Sequence, residues 1–452
     1  VPTKVQTDYY ATHVAGLMQS YKMALQQLST RGIHAEAILI HSGSEDYYYA
    51  DDRAIAFQPF GHFAHWLPVN RPDQFILVCP GEKPRYFQII LDDFWYEQSI
   101  ASPSWWMDKF EVTSLNHVDK IKGELANIKY IAYLGPNLQI ANALGLDNTL
   151  INPQELVSFL DYHRAIKSYY ELEQLKKANK LALIGHAAAH SCFLGGGTEF
   201  SIHMAYLSAC QLLEDECPYT NIVALNEKAA ILHYQNKRRV PEASNQVLLI
   251  DAGCRINGYC SDITRTSIAP EISPIFSSIL NAVKTLELSL VEQIKPGLNY
   301  LELHIAAMRG IGDILISHEL CKASVAELME KEIPSLFMPH GVGHLLGIQV
   351  HDVGGKQISP TGEQRQPPTN YPTLRSTRTM AENMVFTVEP GLYFIPILLE
   401  PQKNTARGNY INWKLIEQLY PLGGIRIEDN VRVTSNGVEN LTRKLEVANE
   451  PL

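Results

Sequence analysis

Residues 247–266 read VLLIDAGCRINGYCSDITRT, two β-prone runs on either side of Asn257-Gly258. An Asn-Gly pair between such runs is the strongest short-range signal for a β-hairpin, because both residues accept the positive φ of a tight turn. Side chains alternate between faces along a strand. Asp251 and Asp262 therefore land on one face, as opposite or diagonal neighbours. Carboxylates so close repel unless a cation or a shared proton lies between them. The plainer alternative is two exposed hairpin aspartates.

Residues 339–355, PHGVGHLLGIQVHDVGG, set His340, His344 and His351 among glycines that allow close backbone approach. Imidazole is the commonest nitrogen ligand and carries protons near neutral pH. A lone histidine is more often a satisfied core residue; three in twelve positions shift that balance. Two further runs, VFTVEPGLY from Val385 and GGIRIEDNVRV from Gly423, each interrupt an apolar strand pattern with a glutamate, Glu389 and Glu428. Arg426 and Glu428 are two apart and share a face. An inward carboxylate on a strand is costly unless a cation meets it. Asp251, Asp262, Glu389 and Glu428 supply four negative charges beside a neutral imidazole. Two divalent metal ions balance that sum. An oxygen-rich donor set with one imidazole suits manganese, cobalt, iron or zinc. Two metals sharing a water imply hydrolysis.

These motifs sit in the second part of a chain of 452 residues, long enough for two domains. Residues 9–31 read as an amphipathic helix stopped by Gly32. Strand-like runs start at Ala37, Gln74, Arg85 and Tyr130, which predicts an α/β N-terminal domain over 1–165. A long helical pattern through Leu172, Leu175, Leu181 and Ile184 opens the second domain, 166–452. Thr198 is placed to cap a helix after Gly195-Gly196-Gly197. Further helices are expected near 273–293 and 299–317, and a proline-rich irregular loop over 359–373.

The formal charge of -10 argues against a nucleic-acid partner. Residues 1–17 lack the pattern of a signal peptide, and no apolar run reads as a membrane span. The seven cysteines are scattered, which suits reduced thiols in a cytoplasmic protein. Cys254 and Cys260 lack zinc spacing, Lys237-Arg238-Arg239 reads as a turn cluster, and Trp105-Trp106 and Tyr47-Tyr48-Tyr49 as packing or a dimer contact.

The ordered set of Asp251, Asp262, His344, Glu389 and Glu428, in these contexts, resembles the pita-bread metallopeptidases: methionine aminopeptidase, aminopeptidase P and prolidase. It is most similar to the bacterial Xaa-Pro dipeptidases, relatives of the organophosphorus acid anhydrolases. The resemblance implies a creatinase/aminopeptidase-like α+β catalytic domain that hydrolyses Xaa-Pro dipeptides. It implies two divalent ions per subunit, manganese first, bound by those five residues. His340, His351 and His233 match histidines that steady the intermediate or contact substrate. Glu389 matches a proton shuttle, and Arg426 an arginine beside the second glutamate. Arg378, with Arg375 as runner-up, is the candidate for the substrate carboxylate, and Tyr219 and Tyr300 for the pocket border. The resemblance also implies a homodimer and leaves room for organophosphate hydrolysis. The family's Gly-Met-Val is here Asn383-Met384-Val385, and Asn tolerates the left-handed backbone. Aminopeptidase P, acting on longer peptides, is the nearest alternative. Methionine aminopeptidase fits poorly with so large an N-terminal domain, and a non-catalytic binding module with all five ligand positions kept.

Overall fold

A computed structural model describes residues 4–98 and 104–448. Residues 1–3, where the stretch inspected for a leader begins, lie outside them. The chain divides into two compact units: Val1–Arg164 with Ser168–Leu172 and Ser359–Glu363, and the remainder.

The first unit is built on a five-stranded mixed sheet in the order β4-β3-β2-β1-β5. Its strands are β1 (Ala37–His41), β2 (Phe75–Val78), β3 (Arg85–Ile89), β4 (Glu111–Leu115) and β5 (Ile131–Leu134). β1, β2 and β5 are buried along their whole length, so they read as continuous apolar runs rather than alternations. β4, EVTSL, lies at the sheet edge with no residue fully buried. The first helix, Lys4–Thr30, starts earlier than its apolar periodicity and ends before Gly32, whose φ is 78°.

The second unit carries the motifs. β6 (Ile222–Leu225), β7 (Val247–Ala252) and β10 (Ile263–Ile268) form one antiparallel sheet, with β8 (Arg255–Ile256) and β9 (Tyr259–Cys260) completing the hairpin between β7 and β10. β11 (Val385–Val388), β14 (Asp429–Val433) and β15 (Val438–Asn440) form a second sheet. β12 (Gly391–Tyr393) pairs with β13 (Gly424–Arg426). The sheets meet at a bridge between Thr264 and Glu428.

Helices close the unit. Thr198 Oγ1 accepts from the Ser201 amide and caps Glu199–Cys210. Pro274–Glu292 is long and apolar enough to pass for a membrane span by composition, which the sequence reading did not foresee. It is a core helix: Phe276, Ile279, Leu280, Val283 and Leu290 are buried in the main apolar cluster. Tyr300–Ser317 contributes Leu303, Ala307, Ile311 and Leu315 to the same cluster. Residues 359–373 form neither helix nor strand.

Candidate metal centre

The hairpin keeps one register through its turn. Thr264 pairs with Asp251, and Arg255 with Cys260, on either side of Asn257-Gly258, whose φ values are 50° and 90°. In that register Asp262 falls opposite Gly253, so the two aspartates are diagonal neighbours on one face. The Tyr219 hydroxyl joins them, 2.8 Å from Asp251 Oδ1 and 2.6 Å from Asp262 Oδ1. Asp251 also accepts from Arg426 Nη2 at 2.6 Å. The backbone of Asp262 is clamped by the side chain of Asn430, which accepts from its amide and donates to its carbonyl.

His344 arrives on the glycine-rich segment, laid against β11. Its amide donates to Thr387 Oγ1, and the Thr387 amide returns to its carbonyl. Gly343 makes that approach possible: a Cβ there would lie 2.1 Å from the Thr387 carbonyl oxygen and 2.4 Å from the Tyr300 hydroxyl. His344 Nδ1–H donates to the Leu345 carbonyl, so that the ring, when neutral, keeps its lone pair on Nε2. Nε2 faces Asp262 Oδ2 at 3.3 Å and Glu389 Oε1 at 3.8 Å. So close to two carboxylates, Nε2 either carries a proton, which burial opposes but the hydrogen bond and charge of Asp262 favour, or turns its lone pair to a cation lying between them.

Glu389 ends β11, its amide bonded to the Val342 carbonyl. Glu428, between β13 and β14, accepts from the Thr264 hydroxyl at 2.6 Å. Arg426 Nε donates to the same hydroxyl, and its Nη1 to Tyr393 Oη. The Tyr393 hydroxyl meets His340 Nε2 at 2.9 Å, and His340 Nδ1 donates to the Gly341 carbonyl. Both ring nitrogens of His340 are thus engaged. His351 stacks edge-on against His344 at 4.4 Å, with its ring exposed to the cavity.

Burial and the crowding of Asp262, Glu389 and Asp251 push the Glu428 carboxyl well above its ordinary range. Burial likewise lifts Glu389 to about 7 and Asp251 to about 6, with Arg426 opposing the rise in both. Burial would raise Asp262 too, but the hydrogen bond and charge of His344 hold it low. Four carboxylates with one arginine among them lack positive charge. The donor set, the fixed His344 tautomer and the mutual crowding all fit a pair of divalent cations. Asp262, His344 and Glu428 bring ligand atoms within 4.8 Å of one another, one of two such groups among the described residues, the other being His13, His65 and Glu171.

These side chains line a cavity of about 260 Å³ with Leu232, His233, Pro339, His340, His351, Thr373 and Arg375. Arg378, the first choice for a substrate carboxylate, is buried with Nη1 directed at the Gly354 carbonyl and is absent from that wall; Arg375 is in it. The Tyr300 hydroxyl donates to the Thr387 carbonyl and braces β11 rather than lining the cavity. The Cys254 and Cys260 thiols turn to the Tyr206 hydroxyl and the Ile348 carbonyl rather than to the candidate ligands. Lys237 and Arg238 are spent on the Asn221 carbonyl, Glu199 and Glu242. Trp106 is buried, whereas Tyr49 is fully exposed.

The sequence reading missed Thr264, Tyr393 and Asn430. Thr264 lay in plain view, since it sits across the strand pair from Asp251. The other two owe their roles to long-range pairing that no local pattern announces.

Residues 173–435 match the model of metallopeptidase family M24, and residues 8–162 match that of the Xaa-Pro dipeptidase N-terminal domain. The Xaa-Pro dipeptidase of Pseudoalteromonas haloplanktis is 41% identical over 96% of this chain and 98% of its own. That of Aeromonas hydrophila subsp. hydrophila is 40% identical over 97% and 98%. Among solved structures, the aminopeptidase PepP of Pseudomonas aeruginosa superposes with a TM-score of 0.72 at 22% identity, covering 99% of this chain and 98% of that one. Proline aminopeptidase P II of Yersinia pestis gives 0.71 at 23%, covering 95% and 98%. At that identity the likeness speaks for the fold, which is the pita-bread α+β architecture. The family match and the near-complete overlap with curated relatives, with the clustered carboxylates in keeping, make this chain a member of metallopeptidase family M24, with an N-terminal domain of the Xaa-Pro dipeptidase type.

Proposed function

We propose that this chain hydrolyses Xaa-Pro dipeptides, using two divalent ions held by Asp251, Asp262, His344, Glu389 and Glu428. The observation that carries the reading is four carboxylates and one tautomer-fixed imidazole converging on a small cavity. Its setting is a chain whose Xaa-Pro dipeptidase relatives match it over nearly its whole length. A volume near 260 Å³ is small for a ligand pocket and suits a dipeptide better than a longer chain.

Two divalent cations held there would supply an activated water and polarisation of the scissile carbonyl. Glu389 has the more accessible carboxylate beside Asp251 and Asp262, at 18% against 14% and 8%. It is the group suited to take the water's proton and deliver it to the leaving nitrogen. The nitrogen of an X-Pro bond has no hydrogen to donate, so protonation on departure is all it requires. Arg426 anchors Asp251 and Tyr393, which in turn holds His340. His351 and His233 face the cavity as substrate contacts. Arg375 is the exposed cation in the wall and the better candidate for the proline carboxylate.

Manganese is the metal to test first by the family resemblance; the oxygen-rich donor set with one imidazole suits cobalt, iron or zinc as well. Seven free thiols support a reducing, cytoplasmic setting. The exposed Tyr47, Tyr48, Tyr49, Phe94, Trp95 and Tyr96 support a homodimer contact on the first unit. Nucleic acid and membrane are not expected partners of so acidic a chain. An organophosphate ester presents a tetrahedral centre to the same cavity and is the side substrate to assay.

The test is proline release from Leu-Pro and cleavage of Leu-Pro-Gly, side by side, by Mn2+-loaded protein with a chelator control. Chelator-sensitive cleavage of the dipeptide alone is the expected result. Preference for the tripeptide moves the activity to aminopeptidase P. Inactivity on both, in folded and metal-loaded protein, overturns the peptidase reading.

A further inference from the structure

Arg265 follows Thr264 on β10, with its side chain on the opposite face by strand alternation. All five of its N–H groups find acceptors. Nη1 donates to the carbonyls of Glu428 at 2.8 Å and Thr264 at 3.0 Å. Nη2 reaches Asp429 Oδ1 at 2.8 Å and Glu446 Oε2 at 3.0 Å, and Nε reaches Glu446 Oε1 at 3.0 Å. A buried cation needing only its charge met would stop at Asp429 and Glu446. Instead Nη1 binds the backbone of Glu428 and of Thr264, the residue whose hydroxyl donates to the Glu428 carboxylate. The backbones of both residues in that short bond are therefore tied to one rigid guanidinium.

The far side of Arg265 rests on the C-terminal segment. Arg443 bridges Asp429, Glu446 and Glu287. Asn440 donates to Asp429 Oδ2 at 2.6 Å. Thr442 Oγ1 accepts from the amide of Asn430, whose side chain clamps Asp262. One short segment thus supports Glu428 through Arg265 and Asp262 through Asn430.

We propose that Arg265 is a positioning residue of the metal centre, and that residues 440–446 brace it, fixing Glu428 and Asp262 relative to each other. The inference rests on those two residues being metal ligands. Partners outside the ligand set orient the ligands, and their loss typically weakens metal binding by about 10- to 100-fold.

The test titrates metal-free full-length protein with Mn2+ alone, by calorimetry, for wild type, Arg265→Met, Arg265→Lys and Glu446→Gln. Arg265→Met is expected to weaken Mn2+ binding by about 10- to 100-fold. At saturating Mn2+ its KM for Leu-Pro should stay within about twofold of wild type, since no substrate contact is lost. Arg265→Lys, which keeps the charge but not the fork, should fall between the two. A folded Arg265→Met that binds Mn2+ like wild type, with only its melting temperature lowered, makes the residue merely structural and overturns the proposal. Should Arg265→Met fail to fold, Glu446→Gln decides, because that side chain is 33% exposed and its loss leaves Arg265 in place. Several-fold weaker binding supports the brace, and unchanged binding overturns it. Wild type that takes up no Mn2+ overturns the ligand assignment itself, a failure distinct from that of Arg265.

Discussion

Asn383 stands at φ 66°, with its side-chain oxygen accepting from Arg432 Nε at 3.0 Å and Nη2 at 2.7 Å. The left-handed backbone there is one that a short amide tolerates. The arginine adds a hold that glycine would lack. Asn383→Val should lower stability by about 1–2 kcal/mol from the backbone alone, whereas Asn383→Gly should cost less. Thermal unfolding of the two variants checks the order, and equal losses would place the whole effect in the Arg432 bonds. At this scale the ligand types were legible, because carboxylates and histidines interrupt apolar or glycine-rich runs. Thr264 apart, their supports were not: Asn430, which clamps Asp262, lies more than 160 residues from it. The choice of Arg378 over Arg375 failed to place a cation in the cavity for the same reason. Two arginines three apart in an irregular loop carry no signal of which one turns inward.

Elements were legible where local chemistry and global packing agree. The Asn257-Gly258 turn, the Thr198 cap and the buried strands of the first sheet all announce themselves. β4 does not: EVTSL alternates weakly, and only its pairing with β3 makes it a strand. Sheet order was also beyond reach, since β11 is flanked by a strand more than 40 residues later in the chain. The Thr198 cap offers a clean measure of one local device. Thr198→Ala should cost about 1 kcal/mol, read as a lower denaturant midpoint with unchanged slope. A neutral result would mean that Glu199, which accepts from the Leu225 amide, the Tyr234 hydroxyl and Arg238, fixes the helix start alone.

The whole molecule keeps several histidines buried and neutral. Burial lowers His65 in the first unit and His304 in the second, each to about 4. Their unfolded value is near 6.5, so the unfolded chain takes up these protons first. Stability is therefore fully present above pH 6.5 and lost as pH falls from there toward 4. The loss is on the order of 3 kcal/mol per histidine. Denaturant midpoints of metal-free protein between pH 7 and 4.5 should fall accordingly, and His304→Phe should flatten the second unit's share. An unchanged slope in that variant would assign the acid sensitivity elsewhere.

The unbroken register of the β7–β10 hairpin also restricts how its gene can change. One added or deleted codon between Asp251 and Asp262 sends one aspartate to the opposite face, away from its partner and from Tyr219. Changes in pairs keep both on the same side. Insertions and deletions in this stretch should therefore survive selection by parity, so that length drifts by two residues or not at all.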